Sequence, residues 1–330
     1  MANSLGPTIK QYGSSALRWV VRPVVLAFIL CIVLLIFGEI LSPGFASYSQ
    51  IINILVVSSF LGMVAGGQNL VIINGRGSID LSVGQVMTLG AIIGGNIVNG
   101  TNSFMLVALL AVLAFCFLIG LVNGFGTTTF NIPPLVMTLA MGGVVRGIIL
   151  FITRGAKVGT ASPFMVSMIN DRWILGIPGV LFLWAGFTAL LIYLLRNTRY
   201  GISLFAIGAN EPAARLSGVA VKKMKVVTFG LSSMIAGFTG FVMLGFTKTV
   251  YNSMGDWYTL PSVIAVVIGG TALSGGIGGY SGTVAGAIVL ILLRSILSTL
   301  NIPEFGREII FGLVLVGLMF AYGRQKRLRE

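Results

Sequence analysis

Phe104-Met105-Leu106-Val107-Ala108-Leu109-Leu110-Ala111-Val112-Leu113-Ala114-Phe115-Cys116-Phe117-Leu118-Ile119-Gly120-Leu121-Val122 is an apolar run without a single charge. Its length is that of a helix crossing about 30 Å of hydrocarbon. An amphipathic helix would carry a polar stripe and a half-buried strand would alternate; this run does neither. Val20–Leu41 is a second run of the same kind. In lipid every backbone N–H and C=O must be paired within the protein, which leaves only helices and closed barrels. A barrel would show segments of about ten residues with alternating polarity, and these runs are twice that length.

Composition extends this to the whole chain. Of 330 residues, 56% are hydrophobic and 9% are charged, against about 25% charged in a soluble domain. Lipid must therefore cover most of the surface. The 45 glycines suit helices that pack closely in a membrane. The two cysteines, Cys31 and Cys116, lie inside apolar runs and read as small buried hydrophobes. Histidine is absent, which removes imidazole metal ligands, general bases and His-dependent triads. The polar first residues lack the apolar segment and cleavage site of a signal peptide, so the first membrane helix is expected to direct insertion.

The hydropathy pattern predicts one polytopic domain over 1–330 with ten spans: Val20–Leu41, Ile51–Ile73, Leu81–Val98, Phe104–Phe125, Pro133–Ile152, Gly179–Leu195, Val226–Phe246, Tyr258–Leu273, Gly282–Leu300 and Arg307–Tyr322. The second, third and eighth, rich in Gly, Asn or Ser, read as broken or as lining a cavity rather than facing lipid. The formal charge of +13 then orients the chain. Ten spans place Lys10, Arg18, Arg22, Arg76, the basic loop 196–225 and the C-terminal Arg324, Lys326, Arg327 and Arg329 on one side. The other side holds fewer: Arg154, Lys157, Arg172, Lys248 and Arg307. The richer side is expected to be cytoplasmic, with both termini there.

A faint echo joins Ile79-Asp80-Leu81 through Gly94-Gly95 to Gly255-Asp256-Trp257 through Gly269-Gly270. Each has an acid, an apolar helix, then a glycine pair. In this topology the copies are inverted, as in transporters that bind solute between two halves; chance likeness of two Gly-rich helices is the alternative reading.

The loop 196–225 carries a second signal. Asn210 is an N-cap candidate, Glu211 and Pro212 suit a first helical turn, Ala213, Ala214, Arg215 and Leu216 continue it, and after Ser217 a glycine, Gly218, stops it. A helix of about two turns, isolated outside the membrane, cannot stabilise itself in water. It must pack on its own protein or on a partner.

Three stretches together resemble the permeases of ribose-type, or simple-sugar, ATP-binding-cassette importers. They are Ser78-Ile79-Asp80-Leu81-Ser82-Val83-Gly84, then Ala206-Ile207-Gly208-Ala209-Asn210-Glu211-Pro212-Ala213-Ala214-Arg215-Leu216-Ser217-Gly218-Val219, then Ala265-Val266-Val267-Ile268-Gly269-Gly270-Thr271-Ala272-Leu273-Ser274-Gly275-Gly276. The resemblance covers essentially the whole chain. It implies the type II importer permease fold, all-α, with about ten transmembrane helices in an inverted five-helix repeat. It implies a second permease protomer, identical or homologous, two cytoplasmic ATPase subunits that bind ATP and Mg, and a periplasmic or lipid-anchored solute-binding protein. It seats the Glu211–Ser217 helix in a cleft of the ATPase and sets the chain in the bacterial inner membrane. This chain departs from the family at Gly75-Arg76-Gly77-Ser78-Ile79-Asp80 and at Tyr258-Thr259-Leu260-Pro261, positions that bear on the solute rather than the class.

The remaining candidates have two readings each. Asp80 either caps the third span through the helix dipole or acts as a gate with Arg76. Arg146 lies deep in a span with no acidic partner near it in sequence, in a pathway or a structural role; Arg294 is read as snorkelling to the outer interface. Asn53, Gln68, Asn69, Asn74, Asn96 and Asn123 either line a path for a hydroxylated solute or bond helix to helix. The run Gly275–Gly282 lacks the Lys-Ser or Lys-Thr of a phosphate loop and reads as a turn. No cofactor of the chain's own and no enzymatic activity are expected. The competing class, a self-contained secondary transporter or channel, would need an intramembrane acidic or histidine relay. None is visible near the centre of a predicted span.

Overall fold

The computed structural model describes residues 23–75, 77–156 and 159–327, with side chains to 317 in the last helix. Among the described residues there are thirteen α-helices and no β-strand. They are α1 (Pro23–Leu41), α2 (Tyr48–Ile73), α3 (Val83–Val98), α4 (Met105–Thr129), α5 (Pro134–Thr153), α6 (Pro163–Asn170), α7 (Gly179–Asn197), α8 (Arg199–Ala209), α9 (Glu211–Leu216), α10 (Val221–Thr247), α11 (Thr259–Ile268), α12 (Tyr280–Thr299) and α13 (Glu304–Arg327). Among the described residues seven helices are long and apolar enough to cross a membrane: α1, α2, α4, α5, α7, α10 and α12.

The helices sort into an inner and an outer set. α2, α10 and α12 are mostly buried, whereas α1, α4, α5 and α7 expose most of their surface. Exposed Ile32, Ile36, Leu106, Leu110, Leu139 and Leu190 belong to the outer set, and burial against lipid is the environment that suits them. α10 is the hub, packed on α2, α3, α4 and α6, while α12 packs on α1, α2, α7 and α11. Small residues permit this. A Cβ on Gly240 of α10 would run into the Met87 carbonyl of α3, and one on Gly120 of α4 into the Phe229 carbonyl of α10. Backbones at that distance exclude any larger side chain.

Two expectations are corrected. α2 is not broken: it runs unbroken for 26 residues, and its Gly62, Gly66, Gly67, Gln68 and Asn69 are buried against protein. The third and eighth spans are helices too short to cross alone. α3 has 16 residues, and α11 has ten after a single 3₁₀ turn at Asp256–Tyr258, against about 20 needed. The two segments meet at their starts, where a Cβ on Gly84 would lie 2.6 Å from the Gly255 carbonyl oxygen. Asp80 therefore precedes a helix too short to be a full span. The 153–178 connection also holds a helix that composition did not reveal, α6, capped by Ser162. Isolated bridges at Thr160–Thr249 and Arg172–Pro178 pin that connection.

Candidate functional site

The first candidate is the docking helix α9. Asn210 Oδ1 accepts the Ala213 N–H at 3.0 Å, Pro212 stands in the first turn, and Gly218 ends the segment with φ +84°. Those are the cap, start and stop the residues predict. Glu211 is held at both carboxylate oxygens, by Arg215 Nη2 at 3.3 Å and Lys225 Nζ at 2.7 Å. Of the two supports expected for this helix, its own protein supplies one. α8 leads directly into α9, and Ile207, Ala214 and Val221 form a small core between α8, α9 and α10. Ala214 and the Glu211 carboxylate of α9 turn inward; Pro212, Ala213, Arg215, Leu216 and Ser217 face out, and Leu216 is 90% exposed. A buried underside and an apolar tip suit a rigid knob.

α8 ties this knob to the bundle. Leu204 packs with Leu70, Ile73, Leu195 and Tyr280. A Cβ on Gly208 would clash with the Ile73 carbonyl and the Gly276 amide, and the Gly276 N–H donates to that same carbonyl at 3.0 Å. Gly75 and Gly275 touch at the same place. The glycine run after α11 is thus a loop with positive φ at Gly270, Gly275, Gly276 and Gly278, folded against the end of α2 and against α8.

Beside it lies a buried polar knot. Asp80 is fully buried. Its Oδ1 accepts the Ser82 N–H at 3.0 Å and the Ser82 hydroxyl at 2.6 Å, and its Oδ2 accepts the Ser232 hydroxyl at 3.1 Å. Asn123 Nδ2 donates to Ser82 Oγ at 3.1 Å. The Gln68 amide pairs with the backbone N–H and C=O of Asp80 at 3.2 and 3.1 Å, and Thr138 Oγ1 accepts the Leu81 N–H at 3.0 Å. The loop 78–82 is therefore clamped by α2, α4, α5 and α10. A buried carboxylate survives only with such partners. Arg76, the expected gate partner, lies outside the described residues.

The amides divide. Asn69 Nδ2 donates to Thr271 Oγ1 at 2.8 Å and Thr283 Oγ1 at 3.0 Å. Gln68, Asn69, Asn74 and Asn123 are sealed inside protein, and three of these spend bonds on other segments of the chain: Gln68 and Asn123 on the loop 78–82, Asn69 on Thr271 and Thr283. Asn53 and Asn96 are exposed.

The structure supplies a partner for each arginine. Arg146 pairs with an acid distant in sequence: its Nη1 lies 3.0 Å from Asp256 Oδ2, 110 positions away. Arg294 pairs with Glu304 at 2.6 Å, and its guanidinium lies 4.1 Å from the centre of the Trp257 ring. Arg307 joins Glu304 at 2.8 Å.

The Arg146–Asp256 pair sits on a cleft of about 590 Å³ between α3, α5, α11 and α13, whose wall includes Gln85, Trp257, Thr259 and Glu308. That volume is in the range of small-molecule sites, about 300–1,000 Å³. Sequence reasoning missed Gln85, Trp257, Thr259 and Glu308, because their convergence depends on three long-range contacts. The signal at hand was the paired acids of the internal echo, one of which is Asp256.

Comparison with known proteins agrees with this architecture. Residues 50–321 match the family described as branched-chain amino acid transport system / permease component. The chain is 32% identical over 299 residues to the ribose import permease protein RbsC of Escherichia coli K12, covering 88% of this chain and 90% of that one. It is 31% identical to RbsC of Bacillus subtilis over 286 residues, 86% and 88% of the two chains. It is 32% identical to the L-arabinose transport system permease protein AraH of E. coli K12 over 300 residues, 90% of each. No solved structure matches the chain.

Proposed function

The chain belongs to the family of branched-chain amino acid transport system / permease components, and from that premise we propose that it is the membrane-spanning permease of an ATP-driven importer for a monosaccharide. It is a multi-pass membrane protein. In this reading it lies in the bacterial inner membrane with both termini cytoplasmic, and its helices follow the type II pattern of ten membrane-embedded segments in an inverted five-helix repeat, α3 and α11 being the short members. Its partners are a second permease protomer, two cytoplasmic ATPase subunits and an extracytoplasmic binding protein. ATP hydrolysis belongs to the ATPase subunits, and the chain carries no cofactor of its own.

The observation that carries this reading is the knob α9, braced from beneath and apolar at its tip. The mechanism follows from its attachments. The ATPases close on ATP and move α9; α8 passes the movement through Gly208 to the end of α2 and to the loop after α11. The end of α2 holds Asp80 through Gln68, and the loop carrying Asp80 leads into α3, a wall of the cleft, so the solute path opens to one side at a time. A secondary transporter would need no such knob.

The test is recovery of the tagged chain from mild detergent with identification of what accompanies it. The wild type is expected to bring down a nucleotide-binding ATPase, and Leu216→Asp to lose it while remaining monodisperse. A chain recovered alone that takes up sugar into liposomes without ATP would overturn the assignment.

A further inference from the structure

The cleft holds more unsatisfied chemistry than a passive path requires. Three residues of its wall each carry a polar atom that is shielded from water and has no hydrogen-bond partner: Gln85 Oε1, Trp257 Nε1 and Thr259 Oγ1. Buried polar atoms without partners are rare, and each calls for an explanation. Here the three are complementary. The amide oxygen can only accept, the indole N–H can only donate, and the threonine hydroxyl does both. One chemical group answers all of them, a neutral hydroxyl. The charges point the same way: Asp256 already neutralises Arg146 at 3.0 Å, and the nearby Glu308 carboxylate repels an anion. A cation would meet the indole N–H and the guanidinium.

The wall can also move. Gln85 is on α3 and Trp257 and Thr259 lead into α11, two segments packed together at Gly84 and Gly255, while α5 is tied to them across the cleft by the ion pair of the half-exposed Arg146. An ion pair of that exposure is weak. Polyol hydroxyls can compete for both its ends.

We propose that Gln85, Trp257 and Thr259, together with the Arg146–Asp256 pair, form a hydroxyl-reading subsite through which the permease itself selects its monosaccharide. This rests on the permease reading above. A polar solute entering as the wall parts satisfies the three atoms, so the loaded cleft is favoured over the empty one. A site that hydrogen-bonds a substrate hydroxyl rejects analogues lacking it.

The experiment uses the reconstituted importer, with its ATPase and binding protein, in proteoliposomes. ATP-driven uptake of ribose, arabinose, other aldoses and their singly deoxygenated analogues is measured for the wild type and for Gln85→Leu, Trp257→Phe, Thr259→Val and Thr259→Ser. The binding protein is the same throughout, so its own selectivity cancels between variant and wild type. Each of the first three is expected to lower uptake of the parent sugar roughly three- to tenfold. Each should also lose the wild type's discrimination against one deoxy position, and Thr259→Ser should restore it. Uniform loss for every sugar, or selectivity unchanged in all variants, overturns the subsite while ATP-driven sugar uptake leaves the permease reading standing. A wild-type importer that carries no aldose overturns both.

Discussion

At the residue scale the decisive feature is that buried polar groups are paired with partners far away in sequence. Asp80 alone draws in Ser82 and Ser232 through its carboxylate and Gln68 through its backbone. Removing that carboxylate leaves an amide and two hydroxyls unsatisfied, at about 1–3 kcal/mol each. Asp80→Ala is therefore expected to lower the melting temperature of the detergent-purified protein by far more than Asp80→Asn, which keeps an acceptor. Equal melting curves for the two would show that the carboxyl oxygen contacts are not what holds the loop 78–82. Asp80 thus accepts one amide ahead of α3, that of Ser82, and also joins α2, α3 and α10. Arg146 teaches the converse lesson. Its partner Asp256 was visible as one half of the repeated motif, yet nothing in the sequence paired the two.

At the element scale the docking helix is the best example of local information sufficing. Asn210, Pro212 and Gly218 specify where α9 starts and stops, because capping depends only on residues within a turn of one another. Asn210→Ala is expected to cost about 1 kcal/mol of local stability, visible as faster amide hydrogen exchange over 211–217 with the spans unchanged. What α9 rests on was not local. Gly208 fits against the Ile73 carbonyl and Gly276 because the ends of α8 and α2 and the loop after α11 converge there. Gly208→Val must separate α8 from α2, and is expected to leave ATPase binding intact while abolishing transport-coupled stimulation of ATP hydrolysis. Stimulation at the wild-type level in that variant would place the coupling route elsewhere.

At the scale of the whole molecule, the arrangement predicts sidedness. With basic loop 196–225 cytoplasmic, a cysteine at Lys222 should react with a membrane-impermeant reagent only after the membrane is breached, and one at Arg172 should react in intact cells. The reverse pattern would invert the proposed topology. The sequence by itself determined that the chain is a helical membrane protein, where its long helices lie, and the outline of the α9 segment. Those properties follow from hydrophobic length and from capping, and both are read within a short window. Only the tertiary structure decided that α2 is an unbroken inner helix while α3 and α11 are too short to cross. It also decided that α9 is braced by α8, that the amides bond inward, and that Gln85, Arg146, Asp256, Trp257 and Thr259 share one cleft. The physical reason is that in lipid a Gly- or Asn-rich helix has the same local pattern whether it lines water or packs on protein. Which it does depends on the partners that folding brings to it from a hundred or more residues away.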